Sequence, residues 1–181
     1  MTLEDVNTLA PDVFLKTFAS IYAHSPWVAG AVVSDRPFNN LTELSGRMQA
    51  SVEASSHDQK LSLLRAHPEL AGKAAVDGTL TQASKQEQAS AGLDRMLPDE
   101  YKALTEMNAA YNERFGFPFI ICVRQTTKAG ILTALENRLT NTVEQEFETA
   151  LGEVYKIAQL RLEGVISRWI WTLTPKPFVA N

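Results

Sequence analysis

The stretch Thr142-Val143-Glu144-Gln145-Glu146-Phe147-Glu148-Thr149-Ala150-Leu151-Gly152-Glu153-Val154-Tyr155-Lys156-Ile157-Ala158-Gln159-Leu160-Arg161-Leu162 decides the fold class. Val143, Phe147, Leu151, Val154, Ala158 and Leu162 recur at intervals of three and four, the repeat of one helix face, and Val165 and Trp169 extend the stripe. Thr142 and Gln145 have the capping-box spacing, so the helix is predicted to start there and run to about Trp171.

The same period spreads outward from this helix. Thr127 opens a segment holding Ile131, Leu132, Leu135 and Leu139. Pro98, Asp99 and Glu100 open another, with Tyr101, Leu104, Asn108, Tyr111 and Phe115 on one face and Gly116 as its stop. Ser56 and Gln59 form a capping box before Leu61 and Leu64. Leu41, Leu44, Met48 and Val52 follow the break at Pro37-Phe38-Asn39-Asn40, and Phe14, Leu15, Phe18, Ile21 and Tyr22 share a face entered at Pro11. Nothing alternates with period two for long enough to demand a sheet. The one strand-like run, Phe117 to Val123, has no pairing partner in the sequence. The reading is an all-α single domain: a bundle of about eight helices with one extended internal segment, over residues 1–174, and a tail at 175–181.

Composition sets bounds on function. A chain of 181 residues fits one domain and buries roughly 70% of its unfolded surface, enough to dispense with disulfides or a structural metal. The charge balance, 17 − 21 = −4, is scattered in sign, which argues against nucleic acid as a partner. Cys122 is the single cysteine, and the three histidines, His24, His57 and His67, lack metal-binding helical spacing, so no metal site is expected. No residue between Lys16 and Asp35 is formally charged, but Ser20, His24, Ser25 and Pro26 interrupt the run; it reads as two core-facing helices and not a membrane span. The acidic N-terminus is unlike a secretory signal and the C-terminal Phe178-Val179-Ala180-Asn181 is unlike a peroxisomal tripeptide, leaving a cytoplasmic protein as the expectation.

Four places depart from plain helix packing. In Arg65-Ala66-His67-Pro68-Glu69-Leu70-Ala71-Gly72-Lys73 the proline should end a helix at about His67. The imidazole then lies by free carbonyls that favour its protonated form, as a proton donor or as a capping histidine. In Ser84-Lys85-Gln86-Glu87-Gln88 the Ser-x-x-Glu spacing fits a capping box, or a helix N-terminus whose N–H groups meet a ligand. In Phe115-Gly116-Phe117-Pro118-Phe119-Ile120-Ile121-Cys122-Val123-Arg124 an apolar, non-helical backbone needs partners for its polar groups, from neighbouring helices or an amide-rich ligand. Cys122 reads there as a buried thiol or a nucleophile. Arg161 shares a line with Ala150, Val154 and Ile157, so it either snorkels out or meets an anion.

Taken together, His67-Pro68-Glu69-Leu70-Ala71-Gly72-Lys73, Ser84-x-x-Glu87-Gln88-Ala89-x-Ala91-Gly92-Leu93-Asp94, Asn108-x-x-Tyr111 and Phe115-Gly116-Phe117-Pro118-Phe119-Ile120 resemble the 2-oxo-4-hydroxy-4-carboxy-5-ureidoimidazoline (OHCU) decarboxylases of purine breakdown. The resemblance runs from the Ser25-Pro26-Trp27 region to about Leu162. It implies an all-α, commonly dimeric enzyme that takes a small ureidoimidazoline to (S)-allantoin without a cofactor. His67 would be the catalytic acid, with Glu87 holding substrate and the imidazole. Pro68, Ser84, Lys85, Gln86, Glu87, Gln88, Phe119, Ile120, Ile121, Cys122, Val123 and Arg161 would bind substrate, with the backbone N–H groups of 119–123 steadying the charge that develops and Arg161 fixing a carboxylate or ureido group. Two rivals remain: another ureide hydrolase or cyclase, with His67 as a base, and a non-enzymatic binding module presenting Phe117 to Val123 and Trp169-Ile170-Trp171 to a partner.

Overall fold

Residues 1–166 are described by the structure, a computed structural model. The expected continuation of the last helix to Trp171, the Trp169-Ile170-Trp171 surface and the 175–181 tail lie outside the described residues. Ten α-helices form within them: α1 Leu3–Thr8, α2 Pro11–Phe18, α3 Trp27–Val32, α4 Leu41–Glu53, α5 His57–Arg65, α6 Lys73–Val76, α7 Gln82–Ser90, α8 Pro98–Phe115, α9 Lys128–Arg138 and α10 Val143–Ile166. No strand forms among the described residues. The count exceeds eight because α1, α3 and α6 are short helices of six, six and four residues.

Local capping chemistry accounts for the helix starts. The Ser56 hydroxyl accepts from Gln59 N–H while the Gln59 side chain accepts from Ser56 N–H, closing the box before α5. Thr142 and Gln145 do the same before α10, and Thr127 caps α9 by accepting from Gly130 N–H. Pro11 and Pro98 occupy first-turn positions, where the missing N–H costs nothing. Gly116 ends α8 in the left-handed conformation, φ 75°, and donates back to Asn112 O.

The 24-residue α10 spans about 36 Å at 1.5 Å per residue and packs against α4, α5 and α8. Phe147, Leu151, Val154, Ala158 and Leu162 of its predicted stripe are buried, together with Ala150. Val143 is exposed instead, because it lies in the first turn, clear of neighbouring helices. Tyr101, likewise in the first turn of α8, is exposed, whereas Leu104, Asn108, Tyr111 and Phe115 are buried. The Phe14 to Tyr22 face is divided: α2 stops at Phe18, and Ile21 and Tyr22 enter the core from the turn that follows. Leu15, expected on that face, is exposed instead. No helix among the described residues is long and apolar enough to cross a membrane.

Candidate active site

The helix α5 ends at Arg65 with Ala66 as its cap, and His67 follows in the turn, donating its N–H to Leu64 O. Its Nδ1 lies 2.9 Å from Leu63 O. A carbonyl can only accept, so Nδ1 carries the proton and Nε2 keeps a free lone pair. The sequence places His67 correctly, but its expected charge is overturned. Burial pushes the imidazole pKa down to about 4; the Leu63 carbonyl opposes this, while nearby Arg161 and His24 add to it. Desolvation outweighs the helix-end dipole because only 8% of the residue is exposed. At rest, then, His67 is a neutral imidazole.

The turn that carries His67 is tied down by two buried amides. Gln88 Oε1 accepts from Ala71 N–H at 3.0 Å, and Asn108 Nδ2 donates to Leu70 O at 2.9 Å. Ala71 is held at φ 50°, a conformation that L-residues seldom adopt without such ties.

Helix α7 presents Ser84, Glu87 and Gln88 on one face, as i, i+3 and i+4 positions must. The Ser84–Glu87 capping box does not form. Thr81 caps the helix, accepting from Ser84 N–H with Oγ1, and Ser84 therefore sits three residues inside. That frees Glu87 to face Arg161: Arg161 Nε donates to Glu87 Oε1 at 2.8 Å and Nη2 to Oε2 at 2.7 Å. Lys85 and Gln86 are exposed and do not line this pocket, although Gln86 borders an adjoining cavity together with Glu87, Arg124 and Arg161.

The run 117–122 is extended, as expected, before a short 3₁₀ turn at Val123–Gln125. Helices supply partners for part of its backbone. Cys122 N–H donates to Glu153 Oε2 at 2.7 Å, so that N–H leaves the set expected to meet a ligand. Ile120 O accepts from Arg138 Nη1 at 2.7 Å. The N–H groups of Ile121 and Val123 have no protein partner among the described residues. The Cys122 thiol is buried, and burial and Glu153 push its pKa up, which favours the inert thiol over a thiolate nucleophile.

Arg161, from α10, closes the arrangement. It meets an anion, Glu87, and its Nη1 reaches the carbonyls of Ser20 and Ile21 at 3.3 and 3.4 Å. His67, Pro68, Ser84, Glu87, Gln88, residues 119–123 and Arg161 surround one pocket of about 500 Å³, mouth included. Leu70, Ile157 and Leu160 complete its apolar wall, and Arg124 stands exposed at its rim. Sequence reasoning missed these four residues, together with Arg138, Glu146 and Glu153 behind the wall. Leu70 and Arg124 adjoin motif residues and Ile157 and Leu160 neighbour Arg161 on one helix, whereas Arg138 and Glu146 carry no such signal in the sequence. Among the described residues no group of three His, Cys, Asp or Glu side chains could hold a metal ion.

Similarity to known proteins extends over most of the chain. The sequence profile of the OHCU decarboxylase family matches residues 7–163. The 2-oxo-4-hydroxy-4-carboxy-5-ureidoimidazoline decarboxylase of Haloferax volcanii is 44% identical over 162 residues, covering 90% of this chain and 94% of the relative. That of Mus musculus is 39% identical over 166 residues, covering 92% and 93%. A crystal structure of (S)-allantoin synthase superposes with a TM-score of 0.75 at 35% identity, over 92% of this chain and 54% of the other. One of an OHCU decarboxylase in the presence of (S)-allantoin gives 0.68 at 25% identity, over 83% and 98%. On this agreement of motifs, fold and relatives, the chain belongs to the OHCU decarboxylase family.

Proposed function

We propose that the pocket decarboxylates OHCU to (S)-allantoin, with neutral His67 moving one proton on one face of the ring. The observation that carries this reading is a buried imidazole, its Nδ1–H committed to Leu63 O, beside the Glu87–Arg161 pair in one small apolar pocket.

The substrate carries a hydroxyl and a carboxylate on one ring carbon and a ureido group on the next. As CO₂ leaves, the electron pair of the broken bond passes into the ring and onto its imine nitrogen. The hydroxyl carbon becomes a carbonyl, its proton moves to the carbon bearing the ureido group, and the ring nitrogen takes one proton from water. Anion plus proton thus gives neutral product plus CO₂. A neutral imidazole suits the transfer: His67 Nε2 accepts the hydroxyl proton and returns it to carbon on the same face, which sets the hand of the product. The expected catalytic acid therefore acts first as a base.

The remaining groups divide by charge. Glu87 and Arg161 neutralise one another and still offer acceptor and donor edges, matching a neutral ureido group better than a free carboxylate. Arg124 has no ion-pair partner among the described residues and draws the anionic substrate to the rim. The apolar wall of Leu70, Ile120, Ile121, Ile157 and Leu160 lowers the cost of dispersing the carboxylate charge into the ring. The N–H groups of Ile121 and Val123, without a protein partner among the described residues, would steady that developing charge. A homodimer acting in the cytoplasm belongs to the same reading; sedimentation at micromolar concentration tests the dimer.

The deciding experiment follows the circular dichroism of allantoin while urate oxidase and hydroxyisourate hydrolase degrade urate. Rapid appearance of one hand on adding this protein supports the reading. An unchanged, slow, racemic time course with folded protein overturns it.

A further inference from the structure

Behind the pocket wall lies a buried cluster that the mechanism above leaves unused. Arg138, the last residue of α9, is 9% exposed, and Glu146, in the first turn of α10, is fully buried. Arg138 Nε and Nη2 donate to Glu146 Oε1 at 2.8 and 2.5 Å. Tyr111 O–H donates to the same oxygen, and Asn141 Nδ2 to Oε2 at 2.7 Å. The Arg138 guanidinium also covers the Phe119 ring, 4.6 Å from its centroid. Neither Arg138 nor Glu146 lines the pocket.

One donor of Arg138 reaches past this cluster. Nη1 holds the carbonyl of Ile120, whose side chain does line the pocket. The Ile120–Ile121 peptide is trans, since the one cis bond among the described residues is Arg36–Pro37. In a trans peptide the C=O of one residue and the N–H of the next point in opposite directions. Anchoring Ile120 O on Arg138 therefore turns the Ile121 N–H away from the cluster. Glu153 fixes the next peptide by taking the Cys122 N–H. The two anchors leave the Ile121 N–H between them without a protein partner among the described residues.

We propose that Arg138, locked by Glu146, is a positioning residue that sets the Ile120–Ile121 peptide plane and so aims the Ile121 N–H at substrate. An arginine is required because one planar guanidinium must grip a carboxylate and a carbonyl at once. Lysine keeps the charge opposite Glu146 but cannot hold both in that geometry. The inference rests on the decarboxylase reading, so its test must separate the two.

The test compares wild type, Arg138→Lys and His67→Asn in the coupled dichroism assay, with a thermal melt of each. Loss of an aimed N–H donor should lower kcat of Arg138→Lys about tenfold to a hundredfold, with KM changed less than about threefold. A merely structural role would lower the melting temperature and leave kcat per folded molecule alone. A folded Arg138→Lys with kcat within about twofold of wild type overturns the positioning role while leaving the decarboxylase reading intact. An inactive wild type fails the parent reading instead. Amide exchange on the wild-type protein decides the matter if Arg138→Lys does not fold. Added (S)-allantoin should slow exchange of the Ile121 N–H, and an unchanged rate at saturation overturns the inference.

Discussion

Arg161 on α10 grips Glu87 on α7 through two parallel hydrogen bonds of 2.8 and 2.7 Å, joining residues 74 positions apart in the chain. Their side chains are 10% and 15% exposed, so both charges depend on each other for the solvation they have lost. The pair also forms one side of the pocket, and stability and function meet at the same contact.

Removing one member should cost both. Glu87→Leu and Arg161→Met each strand a buried charge and should lose about 3 kcal/mol in denaturant unfolding. The double variant should recover most of that stability and none of the activity. Additive losses in the double-mutant cycle would show that the pair is uncoupled.

His67→Asn keeps the size and polarity of the turn but cannot shuttle a proton at neutral pH. Its kcat should fall about 10²–10⁴-fold. Affinity for (S)-allantoin, measured by calorimetry, should change little. An undiminished rate would remove His67 from the proposed chemistry.

The buried, neutral imidazole also predicts how stability depends on pH. His67 binds its proton near pH 4 when folded and near its ordinary value of 6.5 when unfolded, so between those values the unfolded chain holds more protons. Stability must then rise with pH across the window and be lost as pH falls from about 6.5 to about 4. The His67 contribution to that loss is about 3 kcal/mol. Denaturant unfolding at the two ends of the window should show His67→Asn losing correspondingly less than wild type; equal losses would mean that the imidazole is protonated in the folded protein.

Arg124 acts at the rim, before chemistry. Arg124→Gln should raise KM about threefold to tenfold with kcat little changed, and should weaken the dependence of kcat/KM on salt. Steady-state kinetics at low and high ionic strength check this. A fall in kcat at constant KM would place Arg124 inside the reaction instead.

The sequence by itself determined what depends on neighbours within about four residues. The Ser56–Gln59 and Thr142–Gln145 boxes, the Thr127 cap, the prolines opening α2 and α8 and the glycine closing α8 are all local, as is the period that makes the chain all-α. Of the residues that the motifs single out, Lys85 and Gln86 fall outside the pocket lining, and Leu70, Arg124, Ile157 and Leu160 line it without having been singled out. A local rule can still have two claimants. Ser84-x-x-Glu87 has the spacing of a capping box, yet Thr81 takes the capping position, and Glu87 is left for a partner on another helix.

Only the tertiary structure decided the rest, because desolvation and pairing depend on groups far away in the chain. The helix-end dipole seen from the sequence favours a charged His67; the packed wall around it makes the neutral form prevail. Arg138 and Glu146 are eight residues apart and in sequence look like ordinary surface charges at helix ends. The turn between α9 and α10 brings them together under Phe119, where low solvent access converts an unremarkable pair into the anchor of the Ile120 carbonyl.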